Sequence, residues 1–429
     1  MHKKFFVFAL SAAAACARAD IVAGPMAGAA DMREASVWVQ TEPGARAELS
    51  YDAGTPAVLS AEADENGSCK FRLTGLAPAS EYKYKVTSGS SSAEGTVKTA
   101  PDYLTRTPPP DFSVAVLGRM HRNDATYDEP FKTPGGEYEI FDAVKAKNPQ
   151  AVIWAGGACM FRTADYGSKS GMAARYSYER SDPALKGLAA SVPNYGVMSA
   201  DCYGAPDADM RLWNREDSLS VFKSFWPNPS FGVGGSENCG TFFRYGDAEF
   251  FIMDAASNRN GFDHGASRPE MFGRGQMEWL MSSLAASKAK FKVVVSSAPM
   301  VNPAESRENF AGYEKERGEF MDFLMRRKIG GIIFISAGKD YGEVTKMVRA
   351  GAHELVEVTA GPATARPAKT AAELNFFRVP GSAVLQRSFA TVSFSGPEDD
   401  RSAEIAFFSP KGERLYSLKL GSKDLYRFE

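Results

Sequence analysis

Residues able to do chemistry are sparse in this chain of 429 residues. Only four histidines occur, His2, His121, His264 and His353, although hydrolytic metal sites draw heavily on imidazole. His121 reads as a surface-loop residue, and His264 and His353 have no neighbours of ligand type. Gly156-Gly157 closes an apolar run, where consecutive backbone N–H groups could cradle a phosphate, but no further phosphate pattern follows. Arg162, Arg175 and Arg180 interleave with Tyr166 and Tyr176. Such arginines can fork onto an anion, and they serve as readily to tie down a structural loop. A formal charge of −2 excludes a broadly basic nucleic-acid binder.

The elements that must position these residues fall into distinct stretches. Lys3 and Lys4 precede the apolar run Phe5–Cys16, and Ala17-Arg18-Ala19 has the small-x-small form of an export cleavage site. Residues 1–19 therefore read as a signal peptide, and the protein as periplasmic or extracellular. Cys16 also permits a lipoprotein anchor, although Ala13-Ala14-Ala15 before it lacks the usual leucine. Cleavage removes three of the 50 basic residues and no acid, which leaves 47 against 52. Cys69, Cys159, Cys202 and Cys239 remain, and export permits disulfides among them in any of three full pairings. No later stretch is apolar for the roughly 18 residues that a membrane span needs.

Residues 20–100 alternate with period two, as in Val37-Trp-Val-Gln-Thr41 and Tyr82-Lys-Tyr84, and predict a small β-sandwich. Leu73-Thr-Gly-Leu-Ala-Pro78 with Tyr82 resembles the late-strand corner of a fibronectin type III domain, where the tyrosine is structural. A stiff proline-rich linker spans 101–111. From 112 onward, short apolar runs ending in glycine or small residues alternate with helical patterns near 138–147, 218–225, 275–287 and 317–328, the mark of a layered α/β domain. Strand-like alternation returns after residue 389, with a hairpin turn at Pro410-Lys-Gly412. Trp213, Phe225 and Trp226 read as core.

Several of these stretches together resemble the PhoD-type alkaline phosphatases and phosphodiesterases. They are Gly24-Pro-Met-x-Gly28, Val37-Trp-Val-Gln-Thr41, Tyr166-Gly-Ser-Lys-Ser-Gly-Met-Ala-Ala-Arg-Tyr176, Tyr203-Gly-Ala-Pro-Asp-Ala-Asp209, Phe225-Trp-Pro-Asn-Pro-Ser230, Thr241-Phe-Phe-Arg-Tyr-Gly-Asp247 and the closing Val392–Tyr416. The resemblance implies a calcineurin-like metallophosphoesterase sandwich in α/β/β/α layers over 112–429, behind a fibronectin III-like domain at 20–100. It also implies a dinuclear metal centre on the loops leaving the strand ends, with one carboxylate bridging both ions.

The metal motifs are where this sequence departs from that family. Gly-Ser-Cys is here Gly118-Arg119-Met120, and Gly-Asp-Asn is Gly156-Gly157-Ala158, so the bridging aspartate is missing. Asp-Asp-His-Asp-Tyr-Gly reads Ser199-Ala200-Asp201-Cys202-Tyr203-Gly204, and Gly-Asp-x-His-His reads Ala337-Gly338-Lys339-Asp340-Tyr341. A further Asp-x-Arg reads Asp254-Ala255-Ala256. Two cations a few ångströms apart repel strongly, and nothing here offsets that. The expectation is a pseudophosphatase without a metal cofactor, which keeps a scaffold for an anionic or phosphorylated ligand or for envelope interactions. Arg162, Arg175 and Arg180 are its candidate anion-binding residues. The motif match brings Cys159, Asp201, Cys202 and Asp340 to one mouth, as a substitute one-metal site, a Cys159–Cys202 disulfide or plain solvated residues. The alternative function is an active phosphoester hydrolase with an atypical site built from Asp201, Cys202, Asp340 and Asp254.

Overall fold

The computed structural model describes residues 19–103, 107–128, 133–262 and 268–428. The export signal except Ala19, linker residues 104–106 and His264 lie outside the described residues.

Residues 23–98 form two facing antiparallel sheets. One has three strands, Ala23–Ala30, Ala35–Gln40 and Ser68–Leu73, and the other has four, Pro56–Glu62, Arg46–Asp52, Glu81–Ser88 and Ser91–Lys98. Alternation decides which side chains enter: Ala47 and Leu49 are buried, and Arg46 and Glu48 are exposed. Val37, Val39, Leu49, Phe71, Leu73 and Val86 fill the space between the sheets. The corner tyrosine is structural, since Tyr82 Oη accepts the Ala77 N–H at 2.8 Å. Trp38 reaches out of the sandwich and donates to Ser224 O at 3.0 Å, pinning this unit to the rest of the chain.

Two six-stranded sheets make the larger unit. The first runs Asn194–Gly196, Ala151–Trp154, Phe112–Leu117, Phe389–Ser395, Ser402–Phe408, Arg414–Gly421. The second runs Thr241–Tyr245, Ala248–Ile252, Phe291–Val295, Ile332–Ser336, Ala352–Thr359, Glu343–Arg349. Val114, Val116, Ile153, Phe250, Val293, Ile333, Val392 and Ile405 pack between them. Four helices, α1 (Ile140–Ala146), α2 (Lys169–Arg180), α3 (Pro183–Ala189) and α4 (Arg215–Phe225), cover the first sheet, and α5 (Gly273–Ala286) and α6 (Glu314–Arg326) the second. Sheets covered on both faces need apolar residues at consecutive positions, hence runs such as Ile332-Ile-Phe-Ile335. The layers are α/β/β/α, as the sequence led us to expect.

One stretch differs from the sequence reading. The segment carrying Arg175, Tyr176 and Arg180 was expected to be a loop and is helix α2. Its buried residues are Met172, Arg175, Tyr176, Glu179 and Arg180, which keep helical spacing while three of the five are charged. A period of hydrophobicity is therefore absent although the helix is amphipathic in burial. Ser168 caps it, accepting the Gly171 N–H at 3.1 Å. Trp213 is also not core: it is 72% exposed, whereas Phe225 and Trp226 are buried.

Candidate functional site

Because the central strands of each sheet run parallel, their C-terminal ends meet on one edge of the sandwich. The loops leaving them converge closely. A Cβ on Gly156 would lie 3.1 Å from Ser297 Cβ, 3.5 Å from Ser199 Cβ and 3.6 Å from Ala337 Cβ, so small residues from both sheets meet there.

Arg119 occupies the centre of this mouth. Its Nε and one terminal nitrogen donate to the two oxygens of Asp201 at 2.9 and 3.1 Å, and the other terminal nitrogen donates to Asp340 Oδ1 at 2.7 Å. Arg119 is 20% exposed in its side chain and Asp201 17%, while Asp340 is half in solvent at 50%. Burial by itself would lower the Arg119 pKa, but the two carboxylates outweigh it and raise it, so the guanidinium is a permanent cation. Gly157 makes room for it: with φ at +62°, a Cβ there would approach Arg119 Cγ to 2.7 Å and Asp201 Oδ2 to 2.9 Å.

The remaining motif positions are engaged in holding the loops. Met120 is buried and takes Gly157 O on its N–H at 2.8 Å, and Gly157 donates to Ser199 Oγ at 2.9 Å. The two glycines thus form no open phosphate nest. Ala158 packs into the core, Ala200 begins a short helical turn and Tyr341 is buried, its Oη lacking a partner. Ser297 was not singled out in the sequence; two serines after a strand carry no ligand signal.

The chain has a documented likeness at this point. Residues 214–396 match the family model of the PhoD-like phosphatases. The solved structure of PhoD superposes with a TM-score of 0.74 at 14% identity, over 94% of this chain and 89% of that one. A purple acid phosphatase, PPD1 from yellow lupin (Lupinus luteus) seeds, superposes with a TM-score of 0.66 at 13% identity, over 94% of this chain and 75% of that one. No curated protein sequence matches. The PhoD-like stretch contains Ser297 and Asp340, whereas Arg119, Gly157 and Asp201 precede it, and the fold shared with PhoD carries these loops to the same mouth.

The other candidates are held in contacts of their own. Cys159 and Cys202 are buried free thiols, neither solvated nor joined, and burial raises the pKa of both. Cys202 Sγ sits 3.3 Å from Ser199 Oγ. Asp254 is fully engaged, accepting the N–H groups of Cys239, Ala256 and Ser257 and the Ser257 hydroxyl. His121 is buried, not on the surface. It bonds Asp128 at 3.1 Å, and burial lowers its pKa despite that carboxylate. Nor do the three arginines line one cleft. Arg162 spends its charge on Asp124, Asp128 and Asp165, Arg175 pairs with Glu179 at 2.5 Å, and Arg180 is enclosed by aromatic rings. Among the described residues, no three His, Cys, Asp or Glu side chains come together as a metal-holding group, and no helix is long and apolar enough to cross a membrane.

Proposed function

We propose that this protein is an exported pseudophosphatase, a PhoD-like scaffold in which a side-chain cation has replaced the metal ions. The observation that carries this reading is the Arg119 guanidinium bridging Asp201 and Asp340 above Gly157. A dinuclear centre needs a bridging carboxylate and several hard donors for each ion. The mouth instead offers Arg119, Gly157, Ala158, Ser199 and Ala337, and its two carboxylates are already neutralised. These residues do not fit a metal pair.

What the scaffold retains is a surface. Arg119, Arg162 and Arg175 are each committed to carboxylates of the chain itself, which favours an envelope interaction over capture of a phosphate by these arginines. The signal-like residues 1–19 support export.

Purified mature protein should be assayed against phosphomonoesters and phosphodiesters with zinc, manganese, calcium and iron, together with elemental analysis. The expected result is no metal-dependent turnover and no stoichiometric metal. Turnover that needs a metal and is lost in Asp201→Asn and Asp340→Asn would establish the alternative, a hydrolase with an atypical site.

A further inference from the structure

Among the described residues, the buried arginines are, with one exception, given acceptors. Arg401 forks onto Asp247 at 2.9 Å through two nitrogens and also reaches Asp111, Pro110 O and Gly396 O. Arg259 pairs with Glu308 and Ala255 O, and Arg175 with Glu179 and Met160 O. Arg180, the last residue of α2, is 3% exposed, yet its Nε and both terminal nitrogens have no hydrogen-bond partner.

Aromatic rings surround it. Its guanidinium carbon lies 4.0 Å from the Trp226 ring centre, 5.9 Å from that of Trp154 and 6.0 Å from that of Tyr176. Trp226 cannot retreat, because it lies on Gly196, where even a Cβ would come within 2.2 Å of its Cδ2. Rings attract a cation through their faces. The five N–H bonds of a guanidinium radiate in its own plane, so ring contact leaves them unmet.

The polar groups nearby are donors too. Tyr176 Oη and Trp226 Nε1 are buried without partners, and burial keeps the Tyr176 hydroxyl protonated. The neighbouring Cys159 and Cys202 thiols stay protonated for the same reason. Glu179 is the adjacent carboxylate, but its Oε1 is held by Arg175 and the Arg122 N–H, while Oε2 remains unpartnered. Two buried arginines thus share one carboxylate, and one positive charge is left over with a surplus of donors. Leaving such a charge unpaired is strongly unfavourable.

We propose that Arg180 holds a single buried monovalent anion of the halide class on its unpartnered N–H groups, in the plane of the guanidinium. One leftover charge matches a monovalent ion, and the burial of Arg180 to 3% exposure favours a small one. The site lies inside the structure and is independent of the Arg119 mouth.

The test is equilibrium refolding of the full chain over a chloride series, with ionic strength held constant by gluconate. Binding of one anion to the native state makes the folding constant rise tenfold for each tenfold rise in chloride once the site is mostly filled. Arg180→Met, of similar length but without charge or donors, should show no such slope. Crystals grown in bromide should show one anomalous peak within about 3.5 Å of the Arg180 nitrogens. Equal slopes in both proteins, water alone at Arg180, or a Glu179 carboxylate turned onto it would overturn the assignment. Should Arg180→Met not fold, the bromide crystals of the unaltered protein decide the matter alone.

Discussion

Replacing Arg119 by methionine keeps most of its stem and removes the cation. Its bidentate contact with Asp201, between side chains 20% and 17% exposed, is a charge-assisted pair worth about 2–3 kcal/mol. The bond to half-exposed Asp340 adds about 0.5 kcal/mol. Arg119→Met should therefore destabilise by about 3 kcal/mol in urea unfolding. In a double-mutant cycle with Asp201→Asn, the coupling should be about 2 kcal/mol. The variant also exposes two carboxylates to each other, so manganese or zinc should stabilise Arg119→Met and leave the unaltered protein unmoved. A coupling under about 0.5 kcal/mol, or equal stabilisation of both proteins by divalent ions, would refute the claim that the guanidinium stands in for a metal.

Two further perturbations follow from the structure. Glu316 is buried, accepts the Met271 N–H at 2.6 Å and has its pKa raised to about 7 by burial, against an ordinary 4.5. A raised folded pKa gives stability that is fully present below about 4.5 and is lost as pH rises through about 7, a loss of about 3 kcal/mol. Glu316→Gln should remove that share of the slope in urea midpoints between pH 5 and 8. Arg401→Ala leaves Asp247 unpaired and frees the linker end at Pro110 and Asp111; it should cost about 3–5 kcal/mol, read by the same unfolding assay.

The layered architecture was legible because strands covered on both faces are rich in consecutive apolar residues, and runs such as Phe250–Met253 and Ile332–Ile335 say so directly. Helix α2 was not legible, because its inward face is Arg175, Glu179 and Arg180, whose burial depends on partners in other segments. The same limit applied at the mouth. Arg119 could be read as hostile to a cation, but the answering charges sit 82 and 221 residues away, and only the converging strand ends bring them together. Trp213 shows the reverse error: a large aromatic side chain is no proof of burial.

The loops that leave the strand ends are tied to one another by bonds within the chain. In a dinuclear enzyme the ions themselves hold the strand-end loops together. Here backbone and side-chain bonds do so. Arg119 O accepts the Ala363 N–H at 2.8 Å, Gly157 O accepts from Met120, Ser199 Oγ accepts from Gly157, and Asp201 O accepts from Phe161 at 2.8 Å. Arg119 thus contributes twice, its carbonyl fixing the loop at 363 and its guanidinium fixing those at 201 and 340. Placing an aspartate at position 157 alone would not build a metal site. The new Cβ would collide with the Arg119 stem at a backbone φ of +62°, and its carboxylate would become one more partner for the guanidinium.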